Sequence, residues 1–184
     1  MAENVKITWH WVDFDPNTTR SNLKQQLVDI SAPMTLIDRA VYVIRFKPPF
    51  AISYPDKYTP VLYIGEGDLI NRLLAHREWT KRLLGLGYNF PLEVAFCCPR
   101  VKGNICAYQV FEAHLLKVFY ERYGSLPLKN SIHENMAYDH QYDKIATSTV
   151  LGPGKGTRRT WSIQPLASNP FKAVFERTHE DRAA

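Results

Sequence analysis

Ala40-Val41-Tyr42-Val43-Ile44-Arg45-Phe46 and Val61-Leu62-Tyr63-Ile64-Gly65-Glu66-Gly67, with Asn71-Arg72-Leu73-Leu74-Ala75-His76 after them, decide how the rest of the chain is read. The first two runs are rich in β-branched and aromatic residues, the composition that suits a pleated, half-buried surface, and they read as adjacent strands. In the first, alternation puts Val41, Val43 and Arg45 on one side and Tyr42, Ile44 and Phe46 on the other. The second reads as a strand over 61–64 closed by a Gly65-Glu66-Gly67 turn that opens a helix. In that helix Arg72 and His76 stand four residues apart and share a face. Two tyrosines, one arginine and one histidine converge within this single stretch.

Working outward, Lys47-Pro48-Pro49-Phe50 to Tyr58-Thr59-Pro60 separates the two strands and reads as a proline-rich loop, too long for a tight hairpin. It carries Lys47, Tyr54, Lys57 and Tyr58, and reads either as an arm reaching over a substrate or as a surface insertion. Upstream, Ile7, Trp9 and Trp11 alternate as one strand face, and Ser21-Asn22-Leu23-Lys24-Gln25-Gln26-Leu27 reads as a capped helix start. This piece is too small to fold alone and is expected to pack on the main domain. Downstream, Leu69, Ile70, Leu73 and Leu74 give a helix over 68–84 its apolar face, with Arg72, His76 and Trp79 on another side. Gly85-Leu86-Gly87 stops it, and 92–98 reads as a third, well-covered strand.

A second long helix is expected over 104–123. At 100° per residue Tyr108, Phe111, Leu115, Leu116 and Phe119 cluster on one face, with Glu112 at its edge, while Glu121 points away. A carboxylate among apolar residues is costly unless a cation or a hydrogen-bond network meets it. Glu112 is therefore either a salt-bridge partner or a metal ligand, and position alone leaves both open. After Gly124 the chain reads as irregular to about residue 150. Leu151-Gly152-Pro153-Gly154-Lys155-Gly156-Thr157-Arg158-Arg159 follows as a basic Gly-rich loop, then a tail with a short helix near 170–178. That loop lacks the Gly-Lys-Ser/Thr order and a preceding strand, which argues against nucleoside triphosphate binding. Lys155, Arg158 and Arg159 read instead as grips on a nucleic-acid backbone or as part of a connector.

The 184 residues fit one domain with a sizeable core. With 45% hydrophobic and 22% charged residues the composition is that of an ordinary globular protein. No stretch approaches the ~18 uninterrupted apolar residues of a membrane span, and the first residues lack the apolar core of a secretory signal. Three cysteines, at 97, 98 and 106, give no disulfide framework and no zinc spacing. They point to reduced thiols and a cytoplasmic setting. The net charge of +5 is unevenly spread: residues 39–130 carry 13 Lys/Arg against 7 Asp/Glu, whereas residues 1–38 carry 3 against 5. The excess lies on the segment with the candidate chemistry, as a polyanionic substrate would require.

Cleaving a phosphodiester needs a deprotonated nucleophile, charge stabilisation at phosphorus, help for the leaving oxygen, and orientation. Arg72 suits the phosphate charge, His76 a hydrogen bond to phosphate or tyrosine, and Glu112 a hard divalent cation, since Mg²⁺ accepts a single protein carboxylate with water and phosphate completing its shell. A tyrosine with its ordinary pKa of roughly 10 needs nearby positive charge to serve as base, and either tyrosine fits that role. A hydrolase built on Cys106 or Ser131 is disfavoured, because neither sits in a nucleophile turn.

The ordered set of strand-Tyr42, strand-Tyr63-Ile64-Gly65, helix-Arg72-x-x-x-His76, Glu112 on a later helix and a later Asn130 resembles the GIY-YIG nuclease superfamily over about residues 39–131. Ala40 stands where the first motif has glycine, the gap from Tyr63 to Arg72 is one residue short of the commonest spacing, and Asn135 competes with Asn130. The resemblance implies Tyr42, Tyr63, Arg72, His76, Glu112 and Asn130 as catalytic residues, with Glu112 as the one ligand of a Mg²⁺ (or Mn²⁺) ion. It implies hydrolysis of double-stranded DNA to 5′-phosphate ends by a restriction- or phage-type endonuclease, a kind that often acts as a homodimer. A non-catalytic nucleic-acid-binding module and an RNA-directed nuclease are the competing readings. Lys47, Lys57, Lys155, Arg158 and Arg159 are the expected backbone contacts. The expected class is α+β (mixed α/β): a small antiparallel three-stranded sheet flanked by helices. Residues 1–38 form an N-terminal extension, 39–131 the core, and 132–184 a C-terminal extension.

Overall fold

The apolar runs around Tyr42, Tyr63 and Val94 pair with one another, as their composition dictates, and bury both faces of the sheet they make. The computed structural model describes residues 4–84, 91–131, 140–154, 159 and 161–163. In chain order these form β1 (Asn4–Val5), β2 (His10–Phe14), α1 (Arg20–Asp29), a 3₁₀ turn at Met34–Arg39, β3 (Ala40–Phe46), β4 (Phe50–Ser53), β5 (Tyr58–Thr59), β6 (Val61–Gly67), α2 (Leu69–Leu84), β7 (Leu92–Cys97), α3 (Ala107–Tyr123), β8 (Gln141–Tyr142), α4 (Lys144–Leu151) and β9 (Trp161–Ile163). The class is α+β, as expected.

The main sheet has four strands rather than three, in the order β2-β7-β3-β6, antiparallel throughout. The additional strand is β2. The N-terminal segment thus supplies an outer strand of the sheet, with Val12 and Phe14 turned inward. Ile7 and Trp9 precede this strand. Trp9 packs against Phe111 and its indole N–H donates to the Ala146 carbonyl at 3.0 Å. Trp11 faces the other way, over the Arg45 guanidinium. α1 starts at a capping box, Thr19 and Asn22 each satisfying the other's backbone N–H.

Further differences lie in the connections. The 47–60 segment is not an irregular loop. β4 and β5 form a hairpin, and β9 joins β4 in parallel to make a second, three-stranded sheet. The 124–150 stretch is not irregular throughout, because it holds β8 and α4, the latter capped by Asp143, whose carboxylate accepts from the Ile145 N–H at 2.7 Å. Gly65 and Gly67 belong to β6, opposite Tyr42 and Ala40, and do not form a turn. The expected 170–178 helix lies outside the described residues.

β6 is an edge strand, and an unpaired edge invites association. Residues 126–130 cover it: the Leu128 N–H donates to the Tyr54 hydroxyl at 3.0 Å, and the Lys129 N–H to the Leu62 carbonyl at 3.0 Å. Asn130 completes the seal, its amide accepting from the Ile64 N–H at 2.9 Å and donating to the Ile64 carbonyl at 2.7 Å. No helix among the described residues is long and apolar enough to cross a membrane.

Candidate active site

The antiparallel register places Tyr42 opposite Gly65 and Ile44 opposite Tyr63. Residues two apart share a sheet face, so both tyrosines rise from the same face with Gly65 between them. The glycine is needed for that. A Cβ at position 65 would lie 2.5 Å from the Tyr63 ring and 2.8 Å from the Tyr42 hydroxyl, closer than packed atoms tolerate. Gly65→Ala is expected to cost about 1–3 kcal/mol through overpacking and to splay the tyrosines. Thermal unfolding and the near-ultraviolet circular dichroism of the tyrosines check it, and an unchanged spectrum with unchanged stability would remove this role for the glycine.

α2 passes over this face. His76 packs against both phenol rings, its ring centroid 4.5 Å from that of Tyr63 and 5.8 Å from that of Tyr42, while the two phenol rings lie 5.9 Å from each other. Its Nε2 lies 2.8 Å from the Tyr42 hydroxyl, and its Nδ1 lies 2.9 Å from the indole nitrogen of Trp79. An indole N–H can only donate. Nδ1 therefore accepts, the imidazole is the Nε2–H tautomer, and Nε2–H donates to the Tyr42 oxygen. The Tyr42 proton is then free to turn toward Tyr63. The electrostatics agree: the interaction between the two hydroxyls favours ionisation of Tyr63 and disfavours that of Tyr42. The result is a directed chain, Trp79 to His76 to Tyr42 to Tyr63, that ends on the Tyr63 oxygen.

Burial, followed by the positive charges of Arg72 and Lys129, lowers His76 to about 4, so the ring is neutral at physiological pH, as the Trp79 bond requires. Burial pushes the Tyr42 phenol well above its ordinary range, with Tyr63 adding to the shift and Arg72 opposing it. Tyr63 is also raised by burial, offset by the Tyr42 hydrogen bond and by Arg72. Of the two, Tyr63 is the more readily ionised. The sign for stability follows from His76. Its folded value lies below the ordinary 6.5, so the unfolded chain binds the proton more tightly, and stability is lost as pH falls from about 6.5 toward 4.

Arg72 sits one helical turn before His76, its Nε 3.2 Å from where a Cβ on Gly67 would stand, with Gly67 at φ 113°. Glu112, on α3, is 8% exposed. Arg72 and Glu112 act electrostatically on both tyrosines. The sequence-derived group Tyr42, Tyr63, Arg72, His76 and Glu112 is thereby brought together. Asn130 closes the group differently from a residue facing substrate: both polar atoms of its amide are engaged with the backbone of Ile64, the residue between Tyr63 and Gly65. It positions the strand.

The expected backbone contacts lie elsewhere. Lys47 follows β3 at the end opposite Tyr42, about 16 Å away at the usual rise per strand residue, and its ammonium pairs with the Asp13 carboxylate at 2.6 Å. The Arg159 guanidinium donates to the carbonyls of Phe46 at 3.0 Å, Phe50 at 2.8 Å and Pro153 at 3.3 Å. It braces the second sheet. Lys57 lies in the β4–β5 turn and lines a groove of about 1120 Å³ with Arg122 and Lys144. Lys155 and Arg158 lie outside the described residues. Two residues missed as site residues are Trp79, whose i+3 spacing from His76 was the available signal, and Lys129, whose ammonium lies 5.6 Å from the centre of the Trp79 ring.

Among the described residues no three His, Cys, Asp or Glu side chains gather as a metal cage. The donor set fits a hard cation of the Mg²⁺ type, which takes one carboxylate oxygen from the protein and the remainder from water and substrate. It does not fit zinc, which favours three or four nitrogen or sulfur ligands. Comparison with known proteins returns no matching family model, no matching curated protein and no matching solved structure.

If the Trp79 bond fixes the imidazole, Trp79→Phe keeps the bulk and removes the donor. His76 is expected to become a mixture of tautomers, read from its ring ¹⁵N shifts. Any reaction that uses the cluster should slow roughly tenfold, the equivalent of about 1.4 kcal/mol. A variant whose His76 shifts match the unmodified protein would disprove the assignment.

Proposed function

We propose that the chain is a metal-dependent endonuclease that hydrolyses phosphodiester bonds in DNA and leaves 5′-phosphate ends. The observation that carries this reading is the convergence of Arg72 and Glu112 on one pair of hydrogen-bonded tyrosines, with a neutral, tautomer-fixed His76 packed against both. The resemblance of the same five residues to the GIY-YIG set supports it independently of their geometry.

The side chains have separate tasks. Arg72 offers a planar fork to two oxygens of the scissile phosphate and stabilises the charge that grows there. Tyr63, at the end of the hydrogen-bonded chain, first gives its own phenol proton to bulk water and then, as the phenolate, takes the proton of the attacking water. Arg72 and the hydrogen bond that the chain from His76 through Tyr42 delivers to the Tyr63 oxygen both oppose the burial that raises its pKa, and so favour the ionised form. Asn130 holds the strand that carries Tyr63. When bound at Glu112, a divalent cation supplies Lewis-acid stabilisation of the leaving 3′ oxygen.

Supercoiled plasmid incubated with the protein should be nicked or linearised with Mg²⁺ or Mn²⁺ and left intact with EDTA, and the ends should be ligatable without added phosphate. Cleavage of a matched RNA with DNA untouched would transfer the reading to an RNA nuclease. Inertness toward both would reduce it to a binding module.

A further inference from the structure

A second cavity, of about 360 Å³, opens at the end of the sheet where the tyrosines lie. It is lined by Arg39 just before β3, Arg100 and Lys102 just after β7, and Tyr108 in the first turn of α3. Three links tie it to the site. Tyr42 pairs with Phe96 and Val41 with Cys97, so β7 delivers Arg100 and Lys102 beside the strand that carries Tyr42. Tyr108 is one helical turn before Glu112, about 6 Å along the axis. Glu66 acts electrostatically on both Tyr63 and Tyr108, and so is within reach of both cluster and cavity.

The cavity has the chemistry of a nucleotide site. Residues 101–104 form a tight turn, closed by an Asn104-to-Val101 backbone bond of 3.1 Å and a left-handed Gly103, and this turn presents Lys102. Asn104 is committed locally, its side chain accepting from the Cys106 N–H and contacting His140, so the turn is held in place. Two carboxylates approach, Asp38 at 3.9 Å from Arg39 and Glu66 on the site side. Against three cations they leave the cavity positive. The Cys98 thiol on its wall is pushed up to about 11, by burial first and then by Asp38, and stays protonated. Cations at the rim and an aromatic ring in the wall suit a phosphate joined to a base or sugar, and the volume is that of a small-ligand site.

We propose that this cavity is a substrate subsite that holds one nucleotide of the cleaved strand next to the scissile phosphate, its phosphate on Arg100 and Lys102 and its sugar or base against Tyr108. The proposal rests on the nucleic-acid reading above and places the strand's path over the β7–α3 connection, away from Lys47 and Arg159.

Fluorescence anisotropy with a labelled DNA duplex in Ca²⁺, over a range of salt, tests it. The double variant Arg100→Ala/Lys102→Ala should bind about tenfold more weakly, and its slope of log affinity against log salt should shrink by about 2, the loss of two phosphate contacts. Tyr108→Leu should weaken binding with the slope unchanged. Arg122→Ala/Lys144→Ala, which removes the same charge from the distant groove, should leave affinity within about twofold. Equal losses in the two double variants would overturn the subsite in favour of a diffuse positive field. So would unchanged affinity of Arg100→Ala/Lys102→Ala, with the nuclease reading still standing if the unmodified protein binds and cleaves. Failure of the unmodified protein to bind DNA would overturn both.

Discussion

Glu112→Gln is expected to abolish metal-dependent cleavage, by at least about 10³-fold, while the protein stays folded. The substitution keeps the shape of the side chain and one carbonyl oxygen and removes the negative charge that a hard cation needs. Losing several kcal/mol of charge stabilisation at the leaving oxygen corresponds to that factor. Arg72→Ala should cost about 10²–10³-fold, the usual consequence of deleting one donor group at a developing oxyanion. Arg72→Lys should recover only part of it, because an ammonium supplies charge without the two-pronged fork. The two residues act on the same pair of tyrosines from opposite sides in charge, so their effects should be non-additive. The readout that separates function from structure is metal titration. Glu112→Gln should no longer bind Mn²⁺ in a calorimeter, whereas Arg72→Ala should bind it as the unmodified protein does. If Glu112→Gln still cleaves, or if its activity loss follows a matching loss of thermal stability, Glu112 is a structural ion-pair partner and the metal assignment falls.

How far the sequence carried this picture depends on what kind of signal each part leaves. β3, β7, α2 and α3 were legible because each is a continuous run whose period can be read without knowing its partner, and all the residues of β3 are buried as its apolar character demanded. The second sheet was hidden. Pro48, Pro49, Pro55 and Pro60 punctuate β4 and β5, and β4 gains its parallel partner only from Trp161–Ile163, far along the chain. α4 was hidden for a related reason: Lys144–Leu151 is short and rich in Thr and Ser, and it is stabilised by groups that arrive from β3, β5 and α3. At the site, residue types and spacing identified the five convergent side chains, but their hydrogen-bond direction was illegible, since it depends on which His76 nitrogen meets Trp79. Gly65 shows the same limit. A Gly-x-Gly pattern reads locally as a turn, whereas here the first glycine is a strand residue that makes room for two rings. Lys47 and Arg159, read as contacts to a polyanion, instead meet a carboxylate and a set of carbonyls.

Arg45→Met is expected to lower stability by about 3–5 kcal/mol, the usual cost of breaking a buried charge cluster at one partner, and to do so without disturbing the Tyr42–Tyr63 pair. Arg45 is 3% exposed and stands opposite Glu93 in the sheet, with its Nε 3.0 Å from the Glu93 carboxylate. Its other nitrogens donate to the carbonyls of Val150 at 2.7 Å, Thr149 at 3.3 Å and Gly152 at 3.3 Å. These are the carbonyls that a helix leaves without intrahelical partners at its C-terminus. The remaining one, Leu151, accepts from the hydroxyls of Thr59 and Tyr123. A helix end buried against the sheet is thus satisfied by three side chains, of which Arg45 carries the largest share. Burial lowers the guanidinium to about 10 while Glu93 opposes the shift, so it remains charged at physiological pH. Methionine fills the space but leaves Glu93 unpaired and three buried carbonyls without donors. For a chain of this size the midpoint of thermal unfolding should drop by about 10 °C. Glu93→Gln alone should cost less, about 1 kcal/mol, since every carbonyl keeps its donor. Arg45 and Tyr42 lie on opposite faces of one strand, so cleavage by Arg45→Met measured well below its midpoint should match that of the unmodified protein. A midpoint within about 1 °C of the original would mean that the end of α4 finds other donors and that Arg45 does not anchor it.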